Sequence, residues 1–249
     1  MTGDASAHST PNSALVIGLA GTIAAGKSTV AQLLVARGAV HCDGDKLVHK
    51  LYDPGTPGFD RVVEAFGEDV VGPDGYVDRK KLGAKVFGKP EEMNKLTKAM
   101  GSISQAFKDQ VEEWRRTLPT DAVAVVEAVN LMEPGYARWC DQTWLIGVDD
   151  DIARERLVLT RGMSEEEANQ RLKSMVPFER RAPGADWTYK NNGTQQDLQE
   201  AVDEEFERVY ALHQAGELPP SVFPAWWERF VAERREQMRA SGQEMADEV

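Results

Sequence analysis

Ala14-Leu15-Val16-Ile17-Gly18-Leu19-Ala20 runs directly into Gly21-Thr22-Ile23-Ala24-Ala25-Gly26-Lys27-Ser28, and this stretch decides the fold. Its first part is a short, nearly continuous apolar run, the pattern of a strand covered on both faces. Its second part fits the P-loop spacing of Gly, four residues, Gly-Lys-Ser/Thr in full. Beyond it, Ser28 to Arg37 carries Val30, Leu33 and Leu34 at helical spacing, and Gly38 ends the segment. A strand, a glycine turn and a helix in that order aim backbone N–H groups and the positive end of a helix dipole at a polyphosphate. Gly21, Thr22, Ile23, Ala24, Ala25, Gly26, Lys27, Ser28 and the following Thr29 are therefore the expected ATP-binding residues. Lys27 would set its ammonium on the β- and γ-phosphates, and Ser28 would offer its hydroxyl to Mg2+. The loop alone leaves ATPase, GTPase, kinase and nucleotide-binding regulator open.

Working outward, Ala39-Val40 is a second apolar edge that runs into His41-Cys42-Asp43-Gly44-Asp45, with a helix over Lys46 to Tyr52 to follow. In a parallel sheet, Asp43 and Asp45 would lie at the same carboxyl edge as the glycine loop. A carboxylate there can accept the proton of an attacking hydroxyl or hold the metal, and an Asp at a helix start can equally be a cap; both roles are open. From Gly55 to Pro119 the pattern turns helical (Phe59 to Phe66, Arg79 to Phe87, Pro90 to Thr117), with turns such as Gly72-Pro73-Asp74-Gly75 and no convincing strand. Further strands are expected at Ala122 to Val126, Gln142 to Val148 and Thr188-Tyr189. Helices are expected from Asp149-Asp150-Asp151 to Thr160, over Arg161 to Ala182, over Gln195 to Gln214 and near Trp226 to Met238. Arg156 and Arg161 lie on either side of a helix end, where guanidinium groups could close on a transferring phosphate.

The 249 residues carry 41 Asp and Glu against 29 Lys and Arg, a net charge of -12. Such an acidic balance argues against a protein whose affinity comes from neutralising nucleic-acid phosphates. The excess is uneven. Residues 201 to 249 hold 11 acids and 5 bases, while Ala14 to Lys50 and Ala153 to Lys190 are each +2, so the stretches expected to meet phosphate are locally positive. Cys42 and Cys140 are too few for a disulfide scaffold, as befits a cytoplasmic protein, and no apolar run is long enough to span a bilayer. His41 beside Cys42 reads as a strand-edge side chain, and His49 and His213 likewise carry no metal pattern. Trp226, Trp227 and Phe230 are expected to dock a terminal helix on the core or on another subunit.

At this point the chain resembles the dephospho-CoA kinase family. The likeness runs in order through IGLAGTIAAGKSTVAQLL, CDGDKLVHKLYDPGTPGF, FGEDVVGPDGYVDRKKLGAKVF, VVEAVNLME, RLVLTRGMS and AD-WTYKNNG, over about residues 14 to 202. Asp-x-Asp before a helix, then FG and DG-x-x-x-R-x-x-L, is far more specific than the P-loop. The resemblance implies an α/β P-loop kinase core with a parallel sheet, a helical substrate-domain insertion and a helical lid. It implies transfer of the γ-phosphate of ATP to the ribose 3'-hydroxyl of dephospho-CoA, with ATP and Mg2+ as cofactors and small molecules, not nucleic acid or membrane, as partners. It places the catalytic base on Asp45, with Lys27 and Arg156 also catalytic, the lid arginines on Arg156 and Arg161, and the Asn-x-Gly of the adenine site on Asn191 and Gly193. Acceptor contacts fall on Asp43, Asp45, Arg79 and Glu133.

On this reading residues 1–13 are a flexible start, 14–215 the kinase domain (53–119 the insertion, 152–185 the lid) and 216–249 a helical extension. The family's His-Pro is replaced by Ala99-Met100-Gly101-Ser102, its Pro-Leu-Leu by Val129-Asn130-Leu131-Met132, and its lid Gln by Met175, although Glu133 is kept and Glu127 occupies the acid position after the strand. A kinase of the same fold for another nucleotide or nucleoside, or a non-catalytic nucleotide-binding regulator, stays open beside the main reading, as does the choice between monomer and homo-oligomer.

Overall fold

A computed structural model of the chain describes residues 13–240; the start expected over residues 1–13 falls almost wholly outside them, as does the end of the expected extension, 241–249. The described chain divides into two compact units, one of residues 13–43 and 111–240, the other of residues 44–110.

The first unit is built on five parallel strands: β1 (Leu15–Gly21), β2 (Val40–Asp43), β3 (Val123–Glu127), β4 (Gln142–Gly147) and β5 (Trp187–Lys190). Their order is β2-β3-β1-β4-β5, so β1 runs between β3 and β4. Every residue of β1, β3 and β4 is buried, as expected of apolar runs covered on both faces, while the edge strands β2 and β5 are part-exposed. The register sets Leu19 beside Glu127 and Glu127 beside Asp43, which brings these carboxylates to the carboxyl edge where β1 enters the glycine loop.

In chain order the helices are α1 (Lys27–Ala36), α2 (Gly44–Lys50), α3 (Pro57–Phe66), α4 (Arg79–Val86), α5 (Pro90–Met100), α6 (Ile103–Thr117), α7 (Asp150–Arg161), α8 (Glu165–Lys173), α9 (Phe178–Arg181), α10 (Gln195–Ala215) and α11 (Phe223–Ala240). On one face of the sheet α1 and α10 bury Val30, Leu34, Val202 and Phe206 against Leu15, Ile17 and Trp144. Each large apolar side chain so buried contributes about 1.5–3 kcal/mol. Arg37 ties the two helices at the surface, reaching Asp203 and Glu207 at 2.9 and 2.6 Å.

Two expected helices are divided. Pro90 to Thr117 breaks at Gly101, whose φ of +95° no helix admits, into α5 and α6. Arg161 to Ala182 becomes α8 and α9, because Gly162 closes α7 in the left-handed conformation and Ser164 starts a fresh helix through a capping box with Glu167. Arg156 and Arg161 consequently sit on one helix, α7, rather than on either side of a helix end.

The second unit is helical, with Tyr52, Val62, Phe66, Leu82, Leu96 and Met100 in its own apolar cluster. Its compact body runs from 44 to 110, against an expected insertion of 53–119, since Val48 of α2 packs on that cluster and α6 passes on into residues counted with the first unit. The turn Gly72-Pro73-Asp74-Gly75 is closed by an antiparallel bridge between Val71 and Val77, and Asp78 then caps α4 by accepting from the N–H groups of Lys80 and Lys81. Among the described residues no helix is long and apolar enough to cross a membrane.

Candidate active site

The glycine loop Gly21–Ser28 leaves the carboxyl end of β1 and enters α1 at Lys27. Gly26 caps α1 with φ +91°, a conformation that strains any side chain, and a Cβ there would lie 2.7 Å from Asn191 Nδ2. Ala24 is held at φ +58°, the one non-glycine residue with positive φ among the described residues. Such a conformation costs on the order of 1–3 kcal/mol and persists where the surroundings fix it. Here they do. Arg156 donates from Nη1 to the Ala24 carbonyl at 3.2 Å and from Nη2 to the Asn191 carbonyl at 3.0 Å, and Asn191 donates from Nδ2 to the Ala25 carbonyl at 2.9 Å. Asn191 is buried just after β5, its own N–H bonded to the Gly147 carbonyl. These donors thus occupy the carbonyls of Ala24 and Ala25.

Lys27 carries the loop's charge. Its Nζ lies 3.0 Å from Oε2 of Glu127, with side chains only 15% and 9% exposed, and His41 Nε2 approaches the other carboxylate oxygen at 3.6 Å. Glu127 closes β3, so the pairing of β1 with β3 is what delivers the carboxylate to the lysine. Ser28 is exposed in the first turn of α1, and Thr29 donates its N–H to the Gly26 carbonyl.

A second ion pair lies behind the loop. Arg181, 1% exposed, places Nε 3.2 Å from Glu133 Oε1 and both terminal nitrogens 3.5 Å from the Gly21 carbonyl. Burial pushes its pKa down, with the Glu133 charge pulling the other way. Glu133 thus faces an arginine of its own chain in this state.

The remaining expected residues are distributed as follows. Arg161 ends α7, exposed. Gly193 lies against the Asp197 carboxylate, which closes the capping box of α10 with Thr194. Asp43 ends β2, and Asp45 stands exposed in the first turn of α2, which runs over Gly44–Lys50 where a helix over Lys46 to Tyr52 is expected, so its charge suits the helix dipole. In the helical unit Arg79 opens α4 and lines a cavity of about 520 Å3 with His49, Tyr52 and Asp78. Burial raises the pKa of the Tyr52 phenol there against the opposing Arg79 charge.

In the sequence Glu127 stands only as the acid position after a strand, and nothing there marks Arg181. The signal for Glu127 was an acid ending a fully apolar run. Arg181 gave none, since it sits in a charged stretch that reads as exposed.

The family model described as dephospho-CoA kinase matches residues 15–197 of this chain. The chain is 36% identical over 204 residues to a dephospho-CoA kinase of Streptomyces avermitilis, covering 82% of this chain and 98% of that one. It is 34% identical over 193 residues to that of Aquifex aeolicus, covering 78% and 96%. Among solved structures it is similar to a Thermus thermophilus protein (TM-score 0.63, 28% identity, 79% of this chain and 98% of that one). In fold it is also similar to the dephospho-CoA kinase of Campylobacter jejuni (TM-score 0.55, 20% identity, 78% and 96%).

Proposed function

Because this chain belongs to the dephospho-CoA kinase family, and so phosphorylates dephospho-CoA from ATP in coenzyme A biosynthesis, we propose how its own residues divide that work. The observation that carries the assignment is the loop itself: Gly21–Ser28 at the edge of the central strand, with Lys27 held by Glu127 and the outer carbonyls held by Arg156 and Asn191.

The loop N–H groups and Lys27 take the β- and γ-phosphates. Arg156 shapes the loop and supplies positive charge beside it. Arg161 adds to the charge from the end of α7, in a lid spanning 152–185, and the backbone around Asn191 and Gly193 meets the adenine. Asp45 accepts the proton of the ribose 3'-hydroxyl as its oxygen bonds to the γ-phosphorus and the bond from that phosphorus to the bridging oxygen breaks, leaving ADP. Asp43, Arg79 and Glu133 orient the acceptor. In-line transfer needs placement and charge stabilisation more than covalent help, so few groups suffice.

The residues present fit Mg2+. Ser28 offers an exposed hydroxyl oxygen of the hard type this ion prefers, and among the described residues no group of three His, Cys, Asp or Glu forms a metal cage. That suits an ion carried largely by the substrate's phosphates and water. When bound, it would neutralise charge on those phosphates. Cys42 and Cys140 stand as two thiols without a disulfide, in keeping with a cytoplasmic protein.

The test is ADP release with a panel of acceptors. Turnover with dephospho-CoA, lost in Lys27→Ala and in Asp45→Asn, with ATP binding kept in Asp45→Asn, supports the assignment. Turnover only with a nucleoside monophosphate, or full activity of Asp45→Asn, overturns it.

A further inference from the structure

The helix α11 lies beyond residues 15–197, the stretch that the family model matches, yet it is packed into the first unit at two particular points. Trp227 donates from Nε1 to the Glu133 carbonyl at 3.2 Å, and its ring lies so close over Gly135 that a Cβ there would collide with it. Trp226 donates from Nε1 to the Arg180 carbonyl at 3.2 Å, and its ring covers Gly184 in the same way. One tryptophan therefore holds the segment that carries Glu133, and its neighbour holds the segment that carries Arg181.

Those are the two halves of the buried ion pair behind Gly21. The start of the helix is fixed as well: the Asp186 carboxylate accepts from the Thr143 N–H of β4, the Ser221 hydroxyl and the Val222 N–H at 2.6, 2.6 and 2.8 Å. The two indole N–H groups find their acceptors on two separate segments, and those segments carry the two members of one ion pair. Neither segment is in regular strand structure at these points, so the sheet does not fix them.

We propose that α11 is a positioning strut for the nucleotide site. Trp226 and Trp227 set the spacing between the Arg181 and Glu133 segments, which keeps the Arg181 guanidinium against the Gly21 carbonyl and so holds the root of the phosphate loop in its binding shape. The two tryptophans are positioning residues that act through Arg181, and they touch no substrate. The proposal rests on the phosphate loop being the ATP site, a reading that Lys27→Ala tests separately.

The experiment measures KM for ATP and for dephospho-CoA, kcat, and melting temperature in Trp226→Ala, Trp227→Ala and the exposed control Arg234→Ala of the full chain. The expected result is a roughly tenfold rise in KM for ATP in each tryptophan variant, since small misplacements at a binding loop are costly, with KM for dephospho-CoA within about twofold in Trp226→Ala, whose contact at Arg180 carries no acceptor residue, and Arg234→Ala unchanged. Trp227→Phe, which keeps a ring over Gly135, is expected to recover most of the loss. A tryptophan variant with a lower melting temperature but wild-type KM for ATP in its folded fraction overturns the proposal, because a purely structural helix gives that result. Should the alanine variants fail to fold, the double variant Trp226→Phe/Trp227→Phe removes both donors and keeps both rings. A roughly threefold rise in KM for ATP then supports the strut, and no rise overturns it. If Lys27→Ala binds ATP like the unaltered chain, it is the loop assignment that falls.

Discussion

The ammonium of Lys27 sits 3.0 Å from Oε2 of Glu127, the residue that ends the strand next to β1. The lysine therefore reaches the phosphate site already oriented, and its carboxylate partner is itself buried with His41 at its other oxygen. Truncating Lys27 to alanine is expected to lower kcat by about 10²–10³-fold, the usual loss for one preorganised donor at a developing charge. Glu127→Gln keeps a hydrogen-bond acceptor but removes the charge, and a smaller loss of roughly tenfold is expected. Steady-state kinetics at saturating ATP decide it: a Glu127→Gln enzyme of unchanged kcat means that the pair does not orient the lysine.

Arg156 and Asn191 grip neighbouring carbonyls of the loop, and Arg156 also donates to Asn191. Replacing either is expected to weaken ATP binding, and the double variant to lose less than the sum. A coupling of about 0.5–3 kcal/mol is expected, as for residues sharing one network. Calorimetric titration of ATP into Arg156→Lys, Asn191→Ala and the double variant closes the cycle. Strict additivity would show that the two act on the loop independently.

Gly26→Ala meets two obstacles, the Asn191 amide at 2.7 Å and a φ of +91°. Removing the amide relieves only the first. Gly26→Ala is expected to abolish measurable ATP binding, and Gly26→Ala/Asn191→Ala to restore little of it, since the backbone conformation remains unfavourable. Full recovery in the double variant would assign the effect to the clash alone.

How much of this site could be read in the chain follows from what each part rests on. The loop and its flanking strand and helix are local, and their residues specify them: a seven-residue apolar run that is wholly buried, then a spacing that only a phosphate cradle requires. The docking of the last helix through Trp226 was legible for the same reason, as an aromatic cluster on one face. The partner of Lys27 was not legible, because the contact spans 100 positions and depends on β1 pairing with β3. Arg181 was hidden by composition: an arginine among charged neighbours gives no sign of being 1% exposed. The break at Gly101 was missed because helical spacing persists on both sides of it, whereas the turn depends on one φ.

The capping box of α10 gives a pH dependence. Hydrogen bonds from the Thr194 N–H, and then from its hydroxyl, hold the Asp197 carboxyl below the ordinary value of 3.8. A lowered carboxyl pKa means that the folded chain binds fewer protons than the unfolded one near that value, so the stabilisation is present above it and is lost as pH falls through the lower, folded value. The stability difference between the chain and Asp197→Ala, from urea unfolding, is expected to stay constant from about pH 7 to about pH 5 and to shrink below about pH 4. A difference that grows on acidification would contradict this sign.

The register that joins Leu15 to Val123 also imposes an order of events during synthesis. As the chain leaves the ribosome, β1 and its glycine loop emerge well before both strands that flank β1, which are made later than residue 120. Residues 44–110 are contiguous and carry their own apolar cluster, so they can close locally while β1 still waits for a neighbour. The phosphate loop, though made before both neighbours of its strand, is thus among the last parts to take its working shape, and a polypeptide halted before Val123 carries the loop's residues with no strand against which to align them.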